Sequence, residues 1–423
     1  MIPALGFVTR DHAWQVPLDH AQPDGDSIQV FAREVVAEDK ADDDLPWLLF
    51  LQGGPGGMSP RPPAGWVKHA LKDYRVLLLD QRGTGLSTPL NAQTLETGPV
   101  DTSDAKAVAS YLRHFRADSI VADAELIRRD LLGADGRWDT LGQSYGGFVT
   151  LTYLSFAPQG LRRCLVTGGL APLTASADEV YARTVPRVAR RNREFYARYP
   201  DDAAAVRRIA DHLTSEEVRL PDGDRLSARR LRLLGDAFGM SDGFERLHWL
   251  LETAWHGGRL SDRFLYAVMS LTAAVDGPVY ALQESTYAQG RGATGWAAAR
   301  AIEADPAFAP DADPLFFTGE TMFPWMFDEI AALRPFRDAA HLLAEADDWA
   351  PLYDVGRLSR NEVPVLAAVY FDDMYVDAEL SLQTAEAVPG VRAWVTNEWE
   401  HDGLRVSEGK VLDRLLAMAN GHV

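Results

Sequence analysis

The chain has 423 residues, more than one average domain, so it holds two compact units or one large unit with an insertion. Its 47% hydrophobic and 24% charged residues are those of an ordinary globular protein, long enough to bury a core without covalent staples. The net charge of −19 argues against nucleic acid or an anionic membrane as main partner, and the single cysteine, Cys164, excludes a disulfide framework and a cysteine-built metal site.

In chain order, "MIPALGFVTRDHAWQ" shows no basic stretch followed by an unbroken apolar run. No secretory signal is therefore expected, and the location expected is cytoplasmic. No window reaches the ~18 apolar residues that cross a bilayer. "IQVFAREVV" alternates with period two and predicts a strand. "PWLLFLQGGPGG" is a buried-type apolar run that ends in glycines, and "YRVLLLDQRGTGLS", "WDTLGQSYGGF" and "RRCLVTGGLAP" repeat that plan. The last of these places Cys164 in a buried strand as an inert thiol. "DSIVADAELIRRDLL" has its apolar residues at helical spacing. Strands of this kind alternating with helices predict an α/β fold, a mostly parallel central sheet with helices on both faces. The glycine-rich loops fall at the carboxyl ends of the strands, where such sheets form their ligand crevice.

From residue 171 the texture changes to long helical stretches, "ADEVYARTVPRVARRNREFYARY", "DDAAAVRRIADHLT" and "FERLHWLLETAWHGG", with no glycine-punctuated strand expected among them. The arginine-dense "RVARRNREFYARYP" reads as a solvated helix face rather than a phosphate-binding patch. Strand character returns in "EVPVLAAVYFDDMYVD" and "VRAWVTNEWEHDGL", before a closing helix in "EGKVLDRLLAMANG". The expected organisation is an α/β core from residues 1–170 and 350–423, interrupted by a helical insertion over 171–349.

"LGQSYGGF" holds Gly-x-Ser-x-Gly around Ser144. A serine hydroxyl becomes a nucleophile when a base removes its proton and donors hold the resulting oxyanion. A tight strand-to-helix turn lifts it above the sheet, and small residues at Gly142 and Gly146 are what such a turn requires. The backbone N–H of Tyr145 then lies at a helix N-terminus, facing developing negative charge. In "LQGGPGG", Gly54 is placed to give a second oxyanion donor. An orienting acid and a base should follow in the order Ser, Asp or Glu, His. His401 lies after the insertion at a strand end, whereas His422 is the penultimate residue. For the acid, spacing leaves Asp372 and Asp373 tied, with Asp377 close behind.

These residues resemble the prolyl aminopeptidases (proline iminopeptidases) of the α/β-hydrolase fold, in the larger form of that family, over almost the whole chain. "LFLQGGPGG", "LLLDQRGTGLS", "LGQSYGGF", "VYFDDMYVD" and "EWEHDG" look like its core motifs, and "PVYALQESTY" and "FFTGETMFPWMFDE" like segments of its cap. The resemblance implies Ser144 as nucleophile, His401 as base, and Gly54 and Tyr145 as oxyanion donors. It selects Asp373 as the acid, because the family's acid directly precedes a methionine, here Met374. It also implies that Glu284 and Glu320 hold the substrate's free α-amine. The nearby aromatics Tyr280, Tyr287, Phe316, Phe317, Phe323 and Trp325 either wall a pocket or form the cap's core. Gln52 replaces a histidine common before the family's glycines, and "LVTGGL" lacks an arginine that smaller members carry. The activity implied is release of an N-terminal residue, preferably proline, from a peptide with a free N-terminus, without metal or organic cofactor. The rival readings are an esterase or amidase for an uncharged small molecule, and a catalytically silent binding protein on the same fold.

Overall fold

Every apolar run that ends in glycines becomes a buried strand of one sheet. In the computed structural model, which describes residues 2–4, 6–61, 65–275, 277–290 and 292–423, the sheet strands are β1 (Ile2–Ala4), β2 (Phe7–Pro17), β3 (Ser27–Ala37), β4 (Trp47–Leu51), β5 (Arg75–Asp80), β6 (Trp138–Gln143), β7 (Leu161–Thr167), β8 (Val365–Tyr370) and β9 (Val391–Thr396). Their spatial order is β1-β2-β3-β5-β4-β6-β7-β8-β9. From β5 to β9 every pairing is parallel, while β1, β2 and β3 add an antiparallel edge. Progression along the sheet reverses between β4 and β6, the place where such sheets open a crevice at their carboxyl ends. The loop with Gly54 leaves β4 there and the turn with Ser144 leaves β6.

The β2 strand was not legible. Its segment "FVTRDHAWQVP" pairs along its whole length with β3, from Phe7 opposite Ala37 to Pro17 opposite Ser27. As part of an edge ribbon it keeps one face wet, so charged residues interrupt its apolar pattern. Cys164 is fully buried in β7, and burial pushes its thiol up to about 12, so it is inert.

Between β7 and β8 the described residues add no strand to this sheet. They form helices that include Ala177–Arg198, Asp201–Ser215, Gly243–Glu252, Asp262–Thr272, Ala297–Ala304 and Arg337–Glu345. One expectation for this segment fails: Trp255–His256 and Arg259–Leu260 pair as a small antiparallel ribbon. Gly257 and Gly258 form its turn at φ 58 and 81, the doubly left-handed conformation that suits a two-residue hairpin. No helix among the described residues is long and apolar enough to cross a membrane.

The loop after β5 is fixed by a buried ion pair. Arg82 Nε donates to Asp123 Oδ2 at 2.7 Å and Arg82 Nη2 to Asp123 Oδ1 at 2.6 Å. Arg82 Nη1 also donates to the carbonyls of Leu18 and His114, each at 2.8 Å, which ties the antiparallel edge to the helical layer. Asp80 accepts from the N–H groups of Ser59 and Leu86 at 3.0 and 2.9 Å, so it holds both ends of the neighbouring loops. Removing the carboxylate in Asp123→Ala strands a buried guanidinium. We expect a loss of about 3–5 kcal/mol in urea denaturation; a loss below about 1 kcal/mol contradicts the anchoring role.

Candidate active site

Ser144 joins β6 to the helix Tyr145–Phe156 at φ 55, ψ −123, a conformation that a residue with a Cβ adopts only under constraint. Its N–H donates to the Thr167 carbonyl at 2.9 Å, and its own carbonyl accepts from the Gly147 N–H at 2.7 Å. The flanking glycines are enforced by close approach. A Cβ on Gly146 would run into the carbonyl of Leu51, and one on Gly147 into the carbonyl of Gly169. A Cβ on Gly53 would lie 2.8 Å from that of Ser144, so the β4 loop and the serine turn are in contact. Among the described residues, neither the Gly54 nor the Tyr145 N–H has an acceptor, and Ser144 Oγ has no hydrogen-bond partner. In resting hydrolases the contact between nucleophile and base is often long and tightens with substrate.

Gln52 organises the glycine loop that the sequence left in question. Its Oε1 accepts from the Gly53 N–H at 2.8 Å, and its Nε2 donates to the Met58 carbonyl at 3.2 Å. From the insertion, the Tyr287 hydroxyl donates to the Gly54 carbonyl at 3.1 Å.

The loops after β8 and β9 bring Asp373 to His401. Asp373 Oδ2 lies 2.7 Å from His401 Nδ1, and both side chains are buried. Asp373 Oδ1 accepts from the N–H groups of Tyr375 and Val376 at 2.8 and 3.0 Å, which fixes the carboxylate. Asp372 points away and pairs with Arg190 at 2.8 Å, and Asp377 pairs with Arg187 at 2.7 Å. A Cβ on Gly168 at the end of β7 would lie 3.1 Å from His401 Nδ1, so the imidazole stands over the strand end that anchors the Ser144 N–H. Burial lowers the His401 pKa, but the charge and hydrogen bond of Asp373, helped by Glu320 and Asp402, outweigh it, and the net direction is upward.

One cavity of about 160 Å³ has Ser144, Tyr181, Glu284, Tyr287, Glu320 and Tyr375 in its walls. Both predicted amine ligands thus share a cavity with the predicted nucleophile. Glu284 also has a structural task. Its oxygens accept the N–H groups of Ala297 and Ala298 at 2.9 and 3.0 Å, and so cap the helix Ala297–Ala304, whose own N-cap residue supplies no side-chain bond. Burial raises Glu284 to about 7, against the pull of those N–H groups. Burial, and then the negative charge of Asp236, push Glu320 well above the ordinary carboxylate range. Asp236 is an acid that sequence reasoning missed. It sits inside the otherwise apolar "LLGDAFG", accepts from the Tyr280 hydroxyl at 3.1 Å, and is itself raised by burial. An acid in an apolar run was the signal for it.

The aromatics divide between the two roles left open. Tyr287 lines the cavity. Phe316, Phe317 and Phe323 are buried core, with Phe317 edge-on to Phe238 at 5.4 Å, and Trp325 stacks on Phe323 at 5.5 Å. The arginine-dense helix is solvated as expected at Arg190 and Arg198, 43% and 57% exposed, but it also makes ion pairs the sequence did not announce. Arg187 and Arg190 hold Asp377 and Asp372, and Arg191 pairs with Glu400 at 3.0 Å, all on the loops that carry Asp373 and His401.

A serine on a strained strand-to-helix turn, with a buried acid–histidine pair at the next strand ends, is the arrangement of an α/β-hydrolase-fold serine hydrolase, and residues 46–404 match the family described as alpha/beta hydrolase fold. Over 418 residues the chain is 49% identical to a proline iminopeptidase of Aeromonas sobria, which covers 98% of this chain and 97% of that one. It is 35% identical over 429 residues to the proline iminopeptidase aneH of Aspergillus aculeatus, covering 98% and 94%. The chain belongs to the proline iminopeptidase family.

A base at His401, the role expected for it, must be neutral to accept a proton, and its neutral fraction falls as pH falls through its pKa. Because that pKa is raised above the ordinary 6.5, the acid limb of kcat/KM for a simple acyl ester should lie above pH 6.5. Asp373→Asn should move the limb down and lower kcat by ~10⁴-fold. A limb at or below pH 6.5 in the unaltered enzyme contradicts the pairing.

Proposed function

We propose that the chain is a serine exopeptidase that releases N-terminal proline from peptides through Ser144, His401 and Asp373. The observation that carries this reading is the shared cavity, whose lining includes Ser144, Glu284 and Glu320. An exopeptidase must measure one residue from the chain end, and fixed carboxylates that receive the terminal ammonium do so. They also leave a blocked N-terminus without a counter-charge. The family relatives are proline iminopeptidases, which agrees with this substrate class.

In the proposed reaction the ammonium docks against Glu320 and Glu284, with the first carbonyl carbon over Ser144. His401 takes the Ser144 proton as Oγ attacks. The oxyanion accepts hydrogen bonds from the Gly54 and Tyr145 N–H groups, which are preorganised there at no cost during the step. Asp373 keeps the imidazole in the tautomer with its proton on Nδ1 and stabilises the imidazolium. His401 then protonates the leaving amine, the shortened peptide departs, and water hydrolyses the prolyl-enzyme by the same route.

The test compares free Pro-, Ala- and N-blocked Pro-naphthylamides with an acyl ester. Free prolyl amide should be turned over fastest and the blocked one poorly; equal rates on both would sink the aminopeptidase reading. Glu320→Gln should lower kcat/KM on the free-amine substrate by ~10–100-fold, the loss of a charge-assisted contact of about 1.5–3 kcal/mol, while the ester keeps its rate on the pH plateau and only its acid limb moves down. Glu284→Gln should do the same with an added loss of thermal stability, because Glu284 caps a helix.

A further inference from the structure

The loop that carries His401 follows β9, the outermost strand of the sheet, so among the described residues no further strand supports it from beyond. Its support comes from the helical insertion. The His401 N–H donates to the Gly239 carbonyl at 3.2 Å. On one side of it, Asp402 Oδ1 accepts from the Ser241 hydroxyl at 2.7 Å; on the other, Glu400 pairs with Arg191 at 3.0 Å. Three consecutive residues are thus tied to the insertion.

Arg191 joins these ties into one unit. Besides Glu400, it holds the Phe238 carbonyl through Nε at 2.9 Å and Nη2 at 2.8 Å, beside the Gly239 carbonyl that His401 uses. It is only 12% exposed, so water screens these bonds little. Tyr375 closes the arrangement. Its hydroxyl donates to the Asp236 carbonyl, its ring packs on His401 at 4.8 Å, and a Cβ on Gly239 would strike that ring.

We infer that Arg191 is a positioning residue for His401: its guanidinium locks segment 238–241 of the insertion to Glu400 and thereby sets where the imidazole stands relative to Ser144. The inference rests on His401 being the base, and not on which substrate the cavity takes. A planar fork serves Phe238 and Glu400 together, which a lysine ammonium cannot match.

Arg191→Ala, Arg191→Lys and Glu400→Gln test this with a small acyl ester and a fluorophosphonate probe, neither of which needs the amine-binding carboxylates. In Arg191→Ala, kcat and the rate of Ser144 labelling should fall by ~10–100-fold, the cost of misplacing a reacting group by about 1 Å, with KM changed less than about twofold. The acid limb should also move toward lower pH, because loosening His401 from Asp373 removes the influence that raises it. Arg191→Lys should recover part of the rate and Glu400→Gln should show a smaller loss of the same kind. Unchanged rates and limb in Arg191→Ala and Glu400→Gln overturn the inference, as does a kcat loss that only tracks the folded fraction. If Arg191→Ala does not fold, wild-type rates and limb in Glu400→Gln overturn it alone. Failure of the proline reading would show instead as equal turnover of free and blocked amides, with these ester and labelling results intact.

Discussion

Where β4 and β6 end side by side, the Leu51 carbonyl lies against the Cα of Gly146, with no room for a side chain between them. That contact governs the rest. It forces the chain leaving β6 to turn at once into its helix, and leaves Ser144 at a positive φ that it would not adopt freely. It also brings the β4 loop against Ser144. The strain is tolerable because β6 is buried and paired on both sides, with little freedom to relax.

Charge is divided as sharply as shape. Glu284, Glu320 and Asp236 gather on the inner side of the insertion in an already acidic chain, and burial raises all three. Carboxylates in that situation are most at ease when a cation joins them. On the helix Ala177–Arg198, three arginines pair instead with Asp372, Asp377 and Glu400.

Much of this was legible because it rests on local pattern. Buried strands that end in glycines, the Gly-x-Ser-x-Gly turn and the order Ser, Asp, His are all properties of short segments. Other features were hidden because they depend on distant partners. Spacing could not separate Asp372 from Asp373; the fold does so by giving Asp372 an arginine and Asp373 a histidine. The ion pairs of the arginine-dense helix were hidden because their acceptors lie nearly two hundred positions later in the chain. Nothing near Glu284 announces that it caps a helix starting at Ala297, and β2 hid its alternation behind the charges of a half-wet edge. The two-residue ribbon around Gly257 and Gly258 was too short to register as a strand.

The bond between the His401 N–H and the Gly239 carbonyl has a consequence for how this enzyme can be altered. Helical insertions invite treatment as interchangeable cassettes, each bringing its own specificity to a common engine. In this chain the cassette also holds the loop that carries His401. Exchanging it whole would replace the cavity walls it supplies and also remove the carbonyl that holds the His401 backbone. New specificity is therefore better sought in the side chains facing the cavity, with residues 236–241 and the arginine helix left in place.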